Sequence, residues 1–221
     1  DPFKMSKTIT IRKGYDIKLK GKAENVIVDL PNPSTFALKP TDFKDLTPKM
    51  VVKVGNEVKA GEAIFVDKDH PEVQFCSPVS GEITEVRRGA KRKILEVIIL
   101  ADKEIKYVDF LKANPSEMSR EEITSHLLKA GAWPLIKQRP YGTVARPTEA
   151  PRDIYISGFN SAPLAADIDF ILAGEEFSFQ AGIDSLVKLT DGKVHLGLNG
   201  KGSSVLAKAK NVEVTQFNGP H

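Results

Sequence analysis

With 221 residues, 41% of them hydrophobic and 28% charged, the chain has the composition of a globular protein and room for two ordinary domains. The formal charge of +3 comes from 32 dispersed Lys and Arg against 29 Asp and Glu, which excludes the concentrated basic stripe of a duplex-binding surface. The single cysteine, Cys76, excludes an internal disulfide framework, a four-thiolate iron–sulfur cluster and a cysteine zinc site.

In chain order, Asp1 to Lys4 ahead of Met5 reads as a vector remnant and stays outside fold reasoning. Residues 5–110 are then written in strands: Val26–Val28, Val51–Val54, Ala63–Val66, Val73–Phe75, Glu82–Val86 and Ile94–Leu100. Gly55-Asn56, Gly61, Asp69-His-Pro71, Pro78-Val-Ser-Gly81 and Gly89 punctuate them, and short strands at near-even spacing predict a small sandwich or barrel. Cys76, in an apolar strand, reads as a small buried hydrophobe. Lys91-Arg92-Lys93, with Arg87 and Arg88 before it, reads as a solvated hairpin face.

Residues 111–221 change period and predict an α/β domain. Ser119-Arg-Glu-Glu122 has capping-box spacing, with Met118 and Ile123 at staple positions. The helix it opens carries Ile123, Leu127 and Leu128 on one face and stops at Gly131. Pro134, Pro140, Pro147 and Pro151 then remove amide donors, so the run after Trp133 is neither helix nor central strand. Beyond it come a strand at Ile154–Ser157, a helix near Glu175–Thr190 with Phe179, Ile183, Leu186 and Val187 inward, and a strand at Val194–Leu198. A helix over Ser203–Lys210 and a strand at Val212–Thr215 complete a layered sheet with parallel crossovers. No run approaches the roughly 20 apolar residues needed to cross a bilayer, no signal peptide is recognised, and residence on the water side is expected.

Little in the chain is readable as catalytic chemistry. His70, His126, His195 and His221 have no metal-ligand spacing, and no Ser/His/Asp or Cys/His arrangement is present. Asp167, Asp169, Glu175 and Glu176 read as helix-entry charges near a positive dipole end. Gly197 to Ser204 lacks the Gly-Lys-Ser/Thr order of a phosphate loop because Gly202 interrupts it, and reads as a strand-to-helix turn capped by Ser203 or Ser204. The remaining candidates are Trp133, Lys137, Arg139 and Tyr141, an aromatic plane with cationic donors that suits a quinone head group or a protein partner. The competing reading, given the larger share, buries Trp133 at the junction of the two domains and spends Arg139 on carbonyls.

Several stretches resemble one family. Trp133-Pro-Leu-Ile-Lys-Gln-Arg-Pro140, Ser157-Gly-Phe-Asn-Ser-Ala-Pro-Leu-Ala165 and the opening Ile9-Thr-Ile-Arg-Lys-Gly-Tyr-Asp-Ile-Lys-Leu-Lys-Gly21 are similar to the A subunit of the bacterial sodium-translocating NADH:quinone oxidoreductase. Phe217-Asn-Gly-Pro-His221 resembles the start of a family motif that continues further, so the chain is expected to be a designed N-terminal piece lacking the family's C-terminal half. Val54-Gly-Asn-Glu-Val-Lys-Ala-Gly61 and Ser77 to Val86 resemble biotinyl/lipoyl domains of barrel-sandwich-hybrid type, while the second half resembles the Rossmann-like fold of the complex I flavin subunit.

The resemblance implies a peripheral component on the cytoplasmic side of the inner membrane. It would support quinone reduction coupled to sodium export, active only within the complex, and rest chiefly on the membrane-embedded B subunit. NADH, FAD, FMN, iron–sulfur and quinone would belong to the complex, with no cofactor, metal or nucleic acid held by this piece and quinone contact placed at Trp133, Lys137, Arg139 and Tyr141. At the flavin loop of the complex I relatives this chain keeps one glycine, Gly131, beside an indole and two prolines, so a phosphate cradle is not expected. Alternatives are a stand-alone flavin or nucleotide redox domain, a scaffold without quinone contact, and a carrier acylated at Lys68. Asp69-His70-Pro71 stiffens that last hairpin, and Lys68 is expected to be an ordinary surface lysine.

Overall fold

A computed structural model describes residues 7–21, 23–202 and 204–220. The stretch read as vector remnant, Ser203 and His221 lie outside the described residues. Two compact units emerge: Leu30–Ala113 with Arg120–Glu149, and Asp1–Asp29 with Asn114–Ser119 and Ala150–His221.

The first unit is built on antiparallel strands. Its two larger sheets have the orders β2-β8-β7-β4 and β3-β5-β6, where β2 is Thr35–Leu38, β3 Pro48–Met50, β4 Glu57–Val58, β5 Ala63–Asp67, β6 Gln74–Cys76, β7 Gly81–Arg88 and β8 Ile94–Ala101. Alternating residues face inward as the period of two requires: Ile94, Val97 and Ile99 on β8 are buried, as is Ile83 opposite Ile99 on β7. Phe65 stacks on Phe75 at 4.8 Å, and Phe43 meets Phe75 edge-on at 4.6 Å. The fully buried Ser80 hydroxyl donates to Asp102 and accepts from the Lys106 amide, both at 2.8 Å, so its burial leaves no polar group unpaired. At Gly81 (φ +151) a Cβ would stand 1.9 Å from the Leu100 carbonyl oxygen, so only glycine permits that ladder contact. Helix α1 (Arg120–Lys129) and the small hairpin β9 (Lys137–Gln138) and β10 (Thr143–Val144) belong to this unit.

The second unit is an all-parallel sheet ordered β1-β13-β12-β11, with β1 at Lys7–Thr10, β11 at Ile154–Ser157, β12 at Val194–Asn199 and β13 at Glu213–Asn218. Helices α2 (Ile168–Ile171) and α3 (Glu176–Lys188) form the crossover from β11 to β12. Leu196, Leu198 and Leu206 are the buried centre, with Ile156, Ile168, Phe179 and Val214 packed against it. The units interleave along the sequence. The expected division after residue 110 therefore differs from the contacts, which give β1 to the parallel sheet and α1 to the antiparallel unit.

Three expected elements differ. Val26–Val28 is not a strand but exposed irregular chain, because β-branched residues need a half-buried sheet surface and none reaches them. The strand expected at Val51–Val54 lies at Pro48–Met50, because pairing with β5 sets the register and the chain then turns at Gly55 (φ +87). The helix expected over Ser203–Lys210 is a single 3₁₀ turn, Val205–Lys208. Ser204 opens that turn by accepting from the Leu206 amide, and left-handed Asn211 redirects the chain into β13, which leaves space for one turn only. No helix among the described residues is long and apolar enough to cross a membrane.

Candidate functional site

The proline-rich run after α1 is organised by its end. Ala132 N donates to Leu127 O at 3.0 Å and Gly131 N to Leu128 O at 3.3 Å, with Gly131 left-handed at φ +69, which is the paired arrangement of a Schellman cap. One 3₁₀ turn, Trp133–Leu135, follows directly. Trp133 is buried, 5% exposed, and its indole N–H donates to Ala145 O at 2.7 Å. The indole face is thus packed and its donor spent, a large apolar anchor with one polar handle closing the loop from Trp133 to Ala145.

The anchored turn projects the β9–β10 hairpin, with Gln138 opposite Thr143 and the tip at Arg139-Pro140-Tyr141-Gly142. Lys137, Arg139 and Tyr141 are exposed on it, separated from Trp133 by the turn. The hairpin is braced by polar contacts at its tip and its base. Lys44 Nζ donates to Tyr141 O at 2.7 Å, Gln138 Nε2 to Glu149 at 2.8 Å and Arg146 Nη1 to Glu149 at 2.9 Å. Arg146 and then Gln138 hold the Glu149 carboxyl below the usual carboxylate range. Beneath the hairpin lies a 210 Å³ cleft lined by Lys44, Asp67, Asp69, His70, Thr143 and Arg146, with cations and carboxylates intermixed. Such a lining suits a small polar group with both donors and acceptors. Lys68 beside it has an exposed side chain and an amide donating to Thr47 O at 2.9 Å.

In the parallel unit, the carboxyl end of the sheet is where open α/β folds receive ligands. There Ser157, Phe159, Asn160, Ser161 and Ile168 line a 460 Å³ recess. Gly158 makes its wall possible, since a Cβ would lie 2.6 Å from Leu198 Cδ2 and 3.0 Å from Gly197 O. Asp167, a predicted helix-entry residue, caps α2 by accepting from the Asp169 and Phe170 amides at 3.0 and 3.3 Å. Asp169 accepts from Ser204 Oγ. The Asp167 carboxylate of the chain itself thus takes the free amides at the start of α2. No group of three His, Cys, Asp or Glu side chains able to hold a metal ion exists among the described residues.

Comparison with known proteins matches residues 9–102 to the NqrA N-terminal barrel-sandwich hybrid domain and residues 118–221 to the NqrA second alpha/beta domain. The chain belongs to the NqrA family. Relatives include the A subunit of the Na(+)-translocating NADH-quinone reductase from Tolumonas auensis, 37% identical over 96% of this chain, and its counterpart from Yersinia pseudotuberculosis, 36% identical over 96%. The same-named protein of Vibrio atlanticus is 35% identical over 96% of the chain. The chain spans 48% of the length of these relatives. The NqrA match bears out the barrel-sandwich hybrid followed by an α/β domain.

On this NqrA framework one cluster escaped the sequence reading. His195 on β12 stacks on Tyr155 of β11, centroids 4.7 Å apart and 12° from parallel. Its ring nitrogens lie 3.7 Å from Asp153 and 3.7 Å from Glu213. The Lys193 amide, and then Arg152, hold Asp153 below the usual carboxylate range, while Glu213 raises Lys193. Sequence spacing hides this set because parallel register alone brings residues 155, 195 and 213 side by side.

Proposed function

We propose that this chain is the N-terminal part of the A subunit in a sodium-translocating NADH:quinone oxidoreductase. It acts as a peripheral piece on the cytoplasmic face, contributing to quinone reduction coupled to Na⁺ export and resting on the membrane-embedded B subunit. Activity belongs to the assembled complex, and NADH, FAD, FMN and iron–sulfur chemistry to other subunits. The observation that carries this reading is the ordered match of both NqrA domains together with 37% identity over 96% of the chain.

Quinone contact, on this reading, falls to the hairpin tip. Arg139 and Lys137 offer cationic donors to carbonyl oxygens that gain charge on reduction, and Tyr141, 65% exposed, offers the aromatic face. Trp133 is then a positioning residue, holding the hairpin through Ala145.

Tagged chain expressed in cells that make the complex tests the assembly directly. Co-purification of the other subunits from detergent-solubilised membranes is the expected result, and recovery of the chain alone at physiological salt refutes the proposal. A photoreactive quinone analogue added to the assembled complex should label residues 137–143. Labelling confined to other subunits would remove the site while leaving the assembly role standing.

A further inference from the structure

Residues 11–19 leave β1 as a strap with its apolar row turned outward. Tyr15, Ile17 and Leu19 are 84%, 63% and 51% exposed, at alternate positions of the chain. Asp16 between them, itself exposed, has its carboxylate 4.0 Å from Lys201 Nζ. The root of the strap is held against β13: Ile11 N donates to Asn218 O at 2.8 Å, and a Cβ on Gly14 would stand 2.8 Å from Pro220 O. A strap held at its root and showing water three large apolar side chains in a row is a surface shaped for covering.

We propose that the Tyr15–Leu19 row seats the polypeptide that the longer NqrA relatives carry beyond their second domain. Those relatives are matched over 48% of their length, through the domains described as N-terminal and second. Asn218 to Pro220 lie at the strap's root, so a chain continuing from them starts against Gly14 and meets the apolar row first. Lys18 and Lys20 alternate with the row, and Arg12 and Lys13 precede it, so the covering surface is apolar with carboxylates at its rim. The proposal rests on NqrA kinship and length, not on the activity proposed above.

The test compares thiol labelling in two chains: this 221-residue chain, and the same chain extended by the remaining half of the Tolumonas auensis relative. Ile17→Cys reports the row, and Leu135→Cys, 80% exposed on the other unit, is the control. Cys76 contributes little background at pH 7.5, because burial pushes its thiol up to about 11. The expected result is maleimide labelling of Ile17→Cys at least about tenfold slower in the extended chain, as for a side chain removed from solvent, with Leu135→Cys unchanged. Equal rates in the two chains, or equal slowing at both positions, would overturn the proposal. So would protection of Ile17→Cys in the shorter chain by phosphatidylglycerol vesicles, which would assign the row to a lipid surface. None of these results alters the co-purification outcome, so failure here and failure of the assembly role are separable.

Discussion

Replacing Gly131 with alanine tests how α1 is joined to the sheet beneath it. The residue is left-handed at φ +69, where a Cβ costs roughly 1–2 kcal/mol. That Cβ would also stand 2.7 Å from Cys76 Sγ and 2.9 Å from Cys76 Cβ, far inside the ~3.5–4.0 Å of an unstrained contact. Overpacking of this kind costs about 1–3 kcal/mol, so Gly131→Ala should destabilise the antiparallel unit by roughly 2–5 kcal/mol. Against a typical domain stability of about 5–15 kcal/mol this is a large loss. Trp133 is the chain's single tryptophan and lies buried two residues from the substitution, so its fluorescence in urea reports this unit alone. Cys76→Ala removes the Sγ part of the clash and keeps the Cβ. In that background Gly131→Ala should cost less, retaining the backbone part of roughly 1–2 kcal/mol and the 2.9 Å approach to the Cβ of residue 76. An effect below about 0.5 kcal/mol, within the range of an inert surface change, would refute the reasoning, and an identical cost in both backgrounds would refute the contact with Cys76 Sγ.

Trp133→Phe should cost about 1–3 kcal/mol by stranding the Ala145 carbonyl, read by circular dichroism melting, and a neutral result would dismiss the indole as the hairpin's anchor. Gly158→Ala should destabilise the parallel unit by about 1–3 kcal/mol in urea unfolding followed by far-UV circular dichroism, because Leu198 and the Gly197 carbonyl already occupy the space. Asp153 has a depressed folded-state pKa, so the folded chain binds fewer protons than the unfolded one in acid. Its contribution is complete above the unfolded carboxylate value of about 3.9 and disappears as pH falls through the folded value. Thermal midpoints measured from pH 6 downward should therefore fall less steeply for Asp153→Asn than for the parent, and parallel profiles would contradict the assignment. Cys76 labelling by a disulfide reagent should keep accelerating through pH 9 without levelling, since burial places its thiol near about 11. A plateau near pH 8.5 would mean the thiol is freely solvated.

The primary sequence was sufficient wherever an element's own residues carry its pattern. The apolar runs of β5 to β8 and β11 to β13, the face of α1 ending at Gly131 and the inward row of α3 through Ile183 were all legible, because strand and helix periods are written locally. Asp167 as a helix-entry charge was legible for the same reason. Tertiary structure alone decided what depends on a distant partner. The strand at Pro48–Met50 displaced the more β-prone Val51–Val54 because β5 sets its register, and β1 joined the parallel sheet through pairing with β13 at the far end of the chain. Burial of Trp133 was the favoured reading of the sequence, but its partner was not legible, since the Ala145 carbonyl lies across a turn. The Tyr155–His195 stack between two carboxylates was hidden likewise, for a side chain's neighbours across parallel strands are set by register, which no local pattern records.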